Sequence, residues 1–395
     1  MIEPNMFYRD LKDAYLFSRI AEKTAAYLKL HPDRHLLRMG IGDVSLPLPE
    51  SVIRALHEAV DDQADPIRFH GYMPECGAAE LRETIARHYE AKRGVRLLPG
   101  EVFVSSGASD ELGDILDLFD RKSAALVIEP AYPAYVDANV MAGRRIIHLS
   151  SGRENGFLPE PSGLREEADL IYICSPNNPT GAVFGREKLK AWVDYANAHG
   201  SVILFDAAYE AFIEDPELPH SIFEIEGAKT AAIEICSLSK TAGFTGTRLG
   251  YTVIPKEMKR CGMSLNEMWV RNRTTKTNGV SYILQQGGKA VFTDEGQREI
   301  RKNIAVYKNN ARILMEALDE AHVWYCGGKN APYIWMKCPD SVGSWAFFDC
   351  LLNELQIVGT PGEGFGASGE GYFRFSTFGN PKDTLEAANR LRNYL

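Results

Sequence analysis

The sequence predicts an α/β fold in which a large domain with a mainly parallel central sheet is joined to a smaller α+β domain. Between residues 100 and 255, short apolar runs rich in β-forming residues alternate with helical patterns, as βαβ units require. The runs are continuously apolar, which is typical of strands buried on both faces of a parallel sheet. The length of 395 residues leaves room for about two to three domains.

Turn residues bound the predicted elements along the chain. A mixed apolar and charged pattern predicts a helix over 10–30, and a Gly- and Pro-rich passage over 40–49 leads to a helix that begins at Ser51. A long helical pattern runs over 285–318. The predicted strands of the large sheet are 102–104, 125–128, 170–173, 202–205, 232–236 and 251–254, and those of the small unit are 333–336 and 372–376. We therefore expect a large domain over 46–284, and a small domain that combines 1–45 with 285–395.

The charge and cysteine content exclude several classes of protein. The net charge is −9 at neutral pH, so phosphate backbones and anionic lipid surfaces are poor partners, and we expect no nucleic acid and no membrane. Seven cysteines, an odd number without a CxxC pair, suit reduced thiols rather than a disulfide framework or a zinc site. The N-terminus has no apolar leader segment. The expectation is a cytoplasmic protein without a metal site.

Chemically distinctive residues follow four of the predicted strands. Taken singly they have ordinary interpretations: a strand-end Asp is usually a helix cap, Asn-Pro-Thr-Gly is a turn, and a lone Arg is usually an ion-pair partner. Ligands of open α/β sheets bind beyond the carboxyl ends of the strands, so residues at these positions converge on one site. In chain order they are Ala108 and Ser109, Asn178 in Asn178-Pro179-Thr180-Gly181, Asp206 and Tyr209, and Ser237-Leu238-Ser239-Lys240 with Arg248 eight residues further on.

This ordered set resembles the class I and II pyridoxal-phosphate aminotransferases of fold type I, and the resemblance covers essentially the whole chain. It implies pyridoxal 5′-phosphate as the cofactor. Lys240 would form the covalent link to the cofactor aldehyde and move the proton at the substrate's Cα. Asp206 would keep the pyridine nitrogen protonated, and Tyr209 and Asn178 would donate hydrogen bonds to the phenolate oxygen.

The resemblance also implies a phosphate cradle and a substrate clamp. Tyr132 would stack on the cofactor ring, although a packing role for this tyrosine is about equally compatible with the sequence. Arg374, in the strand-like run 372–376, would hold the substrate α-carboxylate in a bidentate fork; its alternative is a buried ion pair. Gly42 would let the backbone approach the same carboxylate. The residues implied for the phosphate are Ala108, Ser109, Ser237, Ser239 and Arg248, with Tyr72 contributed by a partner subunit.

Further segments narrow the resemblance to the LL-diaminopimelate aminotransferases, which convert tetrahydrodipicolinate to LL-diaminopimelate in lysine biosynthesis, with glutamate and 2-oxoglutarate as the second pair. The resemblance implies a homodimer with shared active sites. Tyr15 would contact the substrate, and Glu75 and Asn278 of the partner subunit would meet its distal end. A solvated helix-start acid and a turn residue are equally compatible interpretations of Glu75 and Asn278. The segments include Tyr15-Leu16-Phe17, Gly40-Ile41-Gly42-Asp43, Tyr132-Pro133-Ala134-Tyr135, Ala242-Gly243-Phe244-Thr245-Gly246 and Gly327-Gly328-Lys329-Asn330-Ala331-Pro332-Tyr333.

One position departs from that narrower pattern. Ser109 stands where the LL-diaminopimelate aminotransferases carry a lysine that meets a substrate carboxylate. The loss of one charged hydrogen bond weakens such a contact by about 1.5–3 kcal/mol. Ser109 can still bind the cofactor phosphate, so the aminotransferase interpretation does not depend on this difference.

Other functions stay open at this point. The same cofactor site could serve lysine, an aromatic or aliphatic amino acid, or a C–S lyase reaction, because the fold does not fix the reaction. A transcriptional regulator with a degenerate aminotransferase domain would carry a DNA-binding domain, for which we expect no room before Tyr15. An NAD oxidoreductase rests only on the GxGxxG match at Gly364–Gly369, which follows Pro361-Gly362 instead of a strand and precedes strand-like residues instead of a helix.

Overall fold

A computed structural model describes residues 2–11, 15–40 and 42–395. Within these residues the chain forms α-helices, short 3₁₀ turns and a π-helical segment, Leu351–Leu355, after the eleventh helix. Their ends follow local sequence signals: Asn380 caps the last helix before Pro381, and Gly94 ends the third helix in the left-handed conformation at φ 65°. The helices are α1 (Leu16–Leu30), α2 (Glu50–Ala64), α3 (Ala79–Arg93), α4 (Ala108–Asp114), α5 (Pro133–Met141), α6 (Arg186–His199), α7 (Leu238–Ala242), α8 (Leu265–Lys276), α9 (Tyr282–Val291), α10 (Asp294–Glu320), α11 (Ser344–Cys350) and α12 (Pro381–Tyr394).

The described strands form a central sheet, a small antiparallel sheet and two short pairs. The central sheet has seven strands in the order β2-β8-β7-β6-β5-β3-β4, and the small sheet has the order β11-β12-β15-β14. The strands are β1 (Leu37–Arg38), β2 (Val102–Ser105), β3 (Ala125–Glu129), β4 (Ile146–Ser150), β5 (Leu170–Cys174), β6 (Val202–Asp206), β7 (Ala232–Ser237), β8 (Gly250–Val253), β9 (Lys259–Arg260), β10 (Met263–Ser264), β11 (Tyr325–Gly327), β12 (Tyr333–Lys337), β13 (Ile357–Val358), β14 (Thr360–Pro361) and β15 (Tyr372–Ser376).

The predicted fold class is confirmed: a mainly parallel sheet lies between helices, and a smaller α+β unit follows. Several details differ from the sequence prediction. The helix expected over 10–30 begins at Leu16 in the described residues, and the short strands β1, β9, β10, β11, β13 and β14 were not predicted. The edge strand β4 was not predicted, because its side chains alternate between buried and exposed positions and form no continuous apolar run. Strand β8 runs antiparallel to both of its neighbours, β2 and β7. The helical pattern over 285–318 is divided between α9 and α10, since the Thr293 side chain accepts a hydrogen bond from Gly296 N–H and starts a new helix.

Two large hydrophobic clusters fill the interior of the described residues. The first packs against the central sheet, and the second gathers residues of the N-terminal segment and the C-terminal unit. Helix α10 contributes to both, since Ile300 and Ile304 belong to the first cluster and Leu314 and Leu318 to the second. No helix in the described part of the chain is long and apolar enough to cross a membrane.

The sheet topology decides where the polar strand ends meet. Strands β3, β5, β6 and β7 are parallel neighbours, so their carboxyl ends share one edge of the sheet. Asp206, the last residue of β6, pairs in register with Cys174 on one side and with Ile235 on the other. The loops that follow these strands therefore leave the sheet side by side.

Candidate active site

A cavity of about 230 Å³ lies at this edge of the sheet. All of the residues predicted for the cofactor, apart from Tyr72, line it together. These ten residues are Ala108, Ser109, Tyr132, Asn178, Asp206, Tyr209, Ser237, Ser239, Lys240 and Arg248.

Asp206 is buried at the end of β6, and its carboxylate has two hydrogen-bond donors. Tyr135 O–H donates to Oδ2 at 2.6 Å, and Ala208 N–H donates to Oδ1 at 3.0 Å. Burial raises the pKa of Asp206, while both hydrogen bonds act in the opposite direction. Tyr135 is itself fixed by stacking on Tyr172, with 4.9 Å between the ring centroids. The carboxylate is thus held in one orientation toward the cavity.

Lys240 lies in the short helix α7, directly after β7, and its ammonium group is mostly buried. The pKa of Lys240 is lowered to about 8, mainly by burial and to a smaller extent by the neighbouring Arg248 and Arg374, while Asp43 opposes the shift. No carboxylate among the described residues lies within ion-pair distance of Lys240. A fraction of this amine is therefore unprotonated near neutral pH, as nucleophilic and proton-transfer chemistry requires.

A group of hydrogen-bond donors surrounds the end of the cavity near α4. Arg248 has a left-handed backbone at φ 65°, and its Nη1 donates to Ser239 Oγ at 3.1 Å and to the Thr245 carbonyl at 3.3 Å. Such a backbone costs about 1–2 kcal/mol for a residue with a side chain. A Cβ at Gly107 would lie 2.5 Å from Arg248 Nη2, so only glycine leaves space for the guanidinium. The guanidinium and the adjacent serine hydroxyls can together bind a dianion.

A second cavity, of about 510 Å³, adjoins the first and reaches the small unit. Gly42 and Arg374 line it, together with Lys240, Tyr132 and Asn178. Ile41, which belongs to the same glycine segment, lies outside the described residues.

Arg374 is completely buried in the middle of β15. Its guanidinium donates to Asn178 Oδ1 at 2.6 Å, to the Gly40 carbonyl at 2.8 Å and to Thr360 Oγ1 at 3.2 Å. The faces of Phe17, Tyr333 and Phe365 surround it at 4.4–5.8 Å. Burial lowers the pKa of Arg374. None of its partners among the described residues is a carboxylate, so the buried cation can bind the carboxylate of a ligand.

Two tyrosines at the site were not assigned a role from the sequence. Tyr135 contacts Asp206 as described above, and its position three residues after Tyr132 on α5 was the available signal, since residues at this spacing share a helix face. Tyr333 O–H donates to the Tyr209 hydroxyl at 2.9 Å and its ring faces Arg374. Tyr333 ends one of the segments that carry the family resemblance, but its contacts with Tyr209 and Arg374 could not be predicted because it reaches the site from the small sheet.

The residues expected at the substrate end lie in two places. Tyr15 is partly buried beside Tyr132, and burial together with that neighbour raises its pKa. Among the described residues that line the two cavities, Tyr72, Glu75 and Asn278 are absent. Tyr72 is 89% exposed. A Cβ at Gly279 would lie 2.5 Å from the Met73 carbonyl, so the turn that carries Asn278 packs on the segment between Tyr72 and Glu75.

The GxGxxG match does not form a dinucleotide site. Its residues form the 3₁₀ turns Gly362–Phe365 and Ala367–Gly369, between β14 and β15. Contrary to the sequence expectation, a short strand, β14, precedes the glycines, but the strand β15 follows them where a dinucleotide site needs a helix. The seven cysteines are free thiols.

The chain is similar over its whole length to proteins of known activity. The sequence profile of the family described as aminotransferase class I and II matches residues 34–391. The chain is 48% identical over 404 residues to the LL-diaminopimelate aminotransferase of Agathobacter rectalis, covering 99% of the chain and 100% of that protein. It is 47% identical over 404 residues to the protein of the same name from Lachnospira eligens, with equal coverage. The solved L,L-diaminopimelate aminotransferase from Chlamydomonas reinhardtii has a TM-score of 0.94 and 38% identity, covering 100% of the chain and 98% of that structure.

Proposed function

This chain belongs to the aminotransferase class I and II family, and we propose that it transfers an amino group between LL-diaminopimelate or tetrahydrodipicolinate and glutamate or 2-oxoglutarate, in two alternating half-reactions. The observation that carries this proposal is a pair of buried cations without an ionic partner among the described residues. Lys240 and Arg374 line one cavity. Lys240 has a pKa of about 8, and Arg374 has no carboxylate among its hydrogen-bond partners in the described residues. Turnover of an amino acid needs a reactive amine and, beside it, a cation that is free to bind the substrate's carboxylate.

The family implies pyridoxal phosphate, and the residues of the smaller cavity fit this cofactor. Arg248, whose guanidinium packs against Gly107, would bind the phosphate together with Ser237, Ser239, Ala108 and Ser109. Tyr132 would lie against the ring. When bound, the cofactor supplies an aldehyde that takes up the amino group and a protonated ring that withdraws electrons from the substrate's Cα.

The chain's own groups would then hold and move protons. Lys240 Nζ would bind the aldehyde at rest and accept the proton from the substrate's Cα, for which its lowered pKa suits it. The Asp206 carboxylate, fixed by Tyr135, would hold the proton on the ring nitrogen. Tyr209 and Asn178 would donate to the ring oxygen. Because Asn178 Oδ1 already accepts from Arg374, the same amide would couple the ring to the substrate clamp.

The proposed substrate has two amino-acid ends, and the larger cavity offers groups for both. Arg374 and the backbone at Gly42 would bind the reacting end. Arg38 and Asp43 also line this cavity and provide one charge of each sign for the distal ammonium and carboxylate. Together with Tyr15, they support this substrate although Ser109 offers no cation.

Three further parts of the proposal concern assembly and location. We propose a homodimer in which Tyr72, Glu75 and Asn278 enter the partner's site. This is supported by the packing of their two segments and by the exposure of Tyr72 and of nearby Ile67, which is 93% exposed. We propose domains at 46–284 and at 1–45 with 285–395, which the two hydrophobic clusters support except in the region of α9 and the start of α10, where Val291, Ile300 and Ile304 pack in the first cluster. The free thiols support a cytoplasmic location.

An absorption experiment tests the proposed function. Purified protein reconstituted with pyridoxal phosphate should absorb in the visible range, and LL-diaminopimelate and glutamate should each shift this band. The Lys240→Ala variant should fold and should lose turnover by at least about 10³-fold. A protein that stays colourless would contradict the cofactor assignment. A band that responds to glutamate but not to LL-diaminopimelate, and instead to lysine or an aromatic amino acid, would contradict the substrate alone.

A further inference from the structure

The glycine-rich turn Gly364–Gly369 surrounds a carboxylate of the large sheet. Glu129, the last residue of β3, extends its side chain to this turn, and Ser368 N–H lies 3.5 Å from Glu129 Oε2. Ala367 N–H also donates to the same carboxylate. A Cβ at Gly366 would lie 2.5 Å from Glu129 Cδ, so the carboxyl group rests directly against the glycine. The glycine-rich turn thus binds an anion, as the motif suggests, but this anion is the side chain of Glu129.

The carboxylate is buried and is fully engaged on both oxygens. Glu129 is 7% exposed, and His148 Nδ1 lies 2.7 Å from its Oε1. Burial raises the pKa of Glu129, but the hydrogen bond and charge of His148 and the N–H groups of Ser368 and Ala367 outweigh burial and lower it. The group is therefore an anion at neutral pH, and the turn is fixed around a charge.

Phe365 connects this turn to the substrate clamp. Its carbonyl accepts a hydrogen bond from Ala131 N–H at 2.9 Å, which ties the turn to the segment that carries Tyr132. Its ring centroid lies 5.0 Å from Arg374 Cζ and 5.9 Å from the ring of Trp335. Arg374 has no carboxylate to fix its position among the described residues, so the aromatic faces around it help to determine where it points.

We propose that Glu129 is a positioning residue for Arg374: by holding the glycine-rich turn, it sets Phe365 against the guanidinium and fixes the distance between the substrate clamp and the ring-facing Tyr132. This inference rests on the proposed function, in which Arg374 binds the α-carboxylate. A displacement of about 1 Å in such a clamp can reduce the rate about 10²-fold. Since Glu129 acts on Arg374 only through Phe365, we expect a smaller effect, about tenfold, on substrate binding.

The test compares two buried glutamates that differ in what they support. Glu129→Gln keeps the shape of the side chain but removes its charge. Glu101→Gln is the matched control, because Glu101 is equally buried, accepts Leu98 N–H at 2.7 Å and Lys256 N–H at 2.9 Å, and lies outside both cavities. On reconstituted holoenzyme, calorimetry would measure the Kd of glutarate, an unreactive dicarboxylate, and kinetics would give KM and kcat for glutamate.

The expected result is a Kd and a KM about tenfold higher for Glu129→Gln, with a smaller change in kcat and an unchanged cofactor spectrum, while Glu101→Gln matches the wild type. Wild-type Kd and KM for Glu129→Gln, or equal changes in both variants, would overturn the inference. If Glu129→Gln does not fold, Gly366→Ala decides by the same measurements, since its methyl group displaces the carboxyl. Arg374→Met serves as the reference: glutarate binding as tight as in the wild type would refute the proposed role of Arg374 itself.

Discussion

Two buried arginines in this chain have opposite surroundings. Arg93, at the end of α3, has a side chain that is 4% exposed; its Nη2 lies 3.0 Å from Glu210 Oε2, and its Cζ lies 4.2 Å from the Tyr89 ring centroid. Glu210 in turn accepts from His220. Arg374 is equally buried, but among the described residues its partners are an amide, a carbonyl, a hydroxyl and aromatic faces.

The difference separates a structural cation from one that awaits a ligand. A buried ion is costly unless an opposite charge compensates it, so a chain that leaves one uncompensated gives up stability at that position. Arg273, another buried arginine, forms ion pairs with Glu111 and Asp114. Arg144, a further buried arginine, also lacks an ion pair among the described residues, but it donates to the Leu116 and Phe119 carbonyls and lines neither cavity of the candidate site. Arg374 is the one that both lacks an acid and lines the candidate site, where the substrate's carboxylate would pair with it.

Replacing each arginine by methionine would test this comparison most strongly. Arg374→Met should reduce kcat/KM for glutamate about 10²- to 10³-fold, since charged hydrogen bonds worth about 1.5–3 kcal/mol each are lost. Arg93→Met should leave the KM for glutamate unchanged, but should lower the free energy of unfolding by about 3–5 kcal/mol, because Glu210 stays buried without its partner. Denaturant unfolding and steady-state kinetics on both variants would measure this. A larger loss of stability for Arg374→Met would contradict the comparison.

The pH dependence of stability should distinguish the two regions as well. Arg93 and His220 outweigh burial and lower the pKa of Glu210 to about 2, so this pair stabilises the fold above about pH 4.5, and its contribution falls as the pH drops toward 2. Burial lowers the pKa of Lys240 to about 8 in the cofactor-free protein. Keeping this amine protonated in the folded state therefore lowers the stability of the fold below pH 8, and this loss disappears as the pH rises from 8 to about 10.5.

Each effect is at most about 3.4 kcal/mol. Unfolding of the cofactor-free protein across pH, with Glu210→Gln and Lys240→Met as references, would measure both. The wild type should lose stability relative to Glu210→Gln as the pH falls below 4.5, and should gain stability relative to Lys240→Met above pH 8. Differences that do not change with pH would contradict the assigned shifts.

Removing the hydroxyl behind Asp206 should have the smallest effect. Tyr135→Phe deletes the 2.6 Å donor to Asp206, and we expect kcat/KM to fall about five- to tenfold, as for a single hydrogen bond of about 1–1.4 kcal/mol. Tyr172→Phe is the control, since the Tyr172 hydroxyl accepts from Asn139 and does not contact Asp206. Equal activities of the two variants would show that the tyrosine only packs.

The sequence allowed six strands of the central sheet, and the residues that line the smaller cavity at their carboxyl ends, to be predicted for one physical reason. Strands buried on both faces must be apolar throughout, so they stand out in the sequence, and the polar residues at their carboxyl ends stand out beside them. Strand β4 at the sheet edge lacks this pattern and was missed. The division of the long helical pattern at Thr293 was missed, although a threonine followed by Asp294 and Glu295 is typical of a helix start.

Contacts between distant segments could not be read from the sequence. Tyr333 reaches Tyr209 across 124 residues of chain, and Arg374 reaches Asn178 across 196. Whether a given arginine has an acid is equally a property of the packed structure: the Arg93 and Arg374 side chains have the same chemistry and differ only in their neighbours.

The sequence by itself determined six of the seven described strands of the central sheet, and the identity and order of the polar residues that follow them, because each depends on residues adjacent in the chain. Only the tertiary structure decided which cations are compensated, which hydroxyl holds Asp206 and what the glycine-rich turn encloses. These depend on charges and hydrogen bonds between segments that come together only when the apolar clusters are buried. Because a buried charge without a partner is costly, it gains most from binding a ligand of opposite charge.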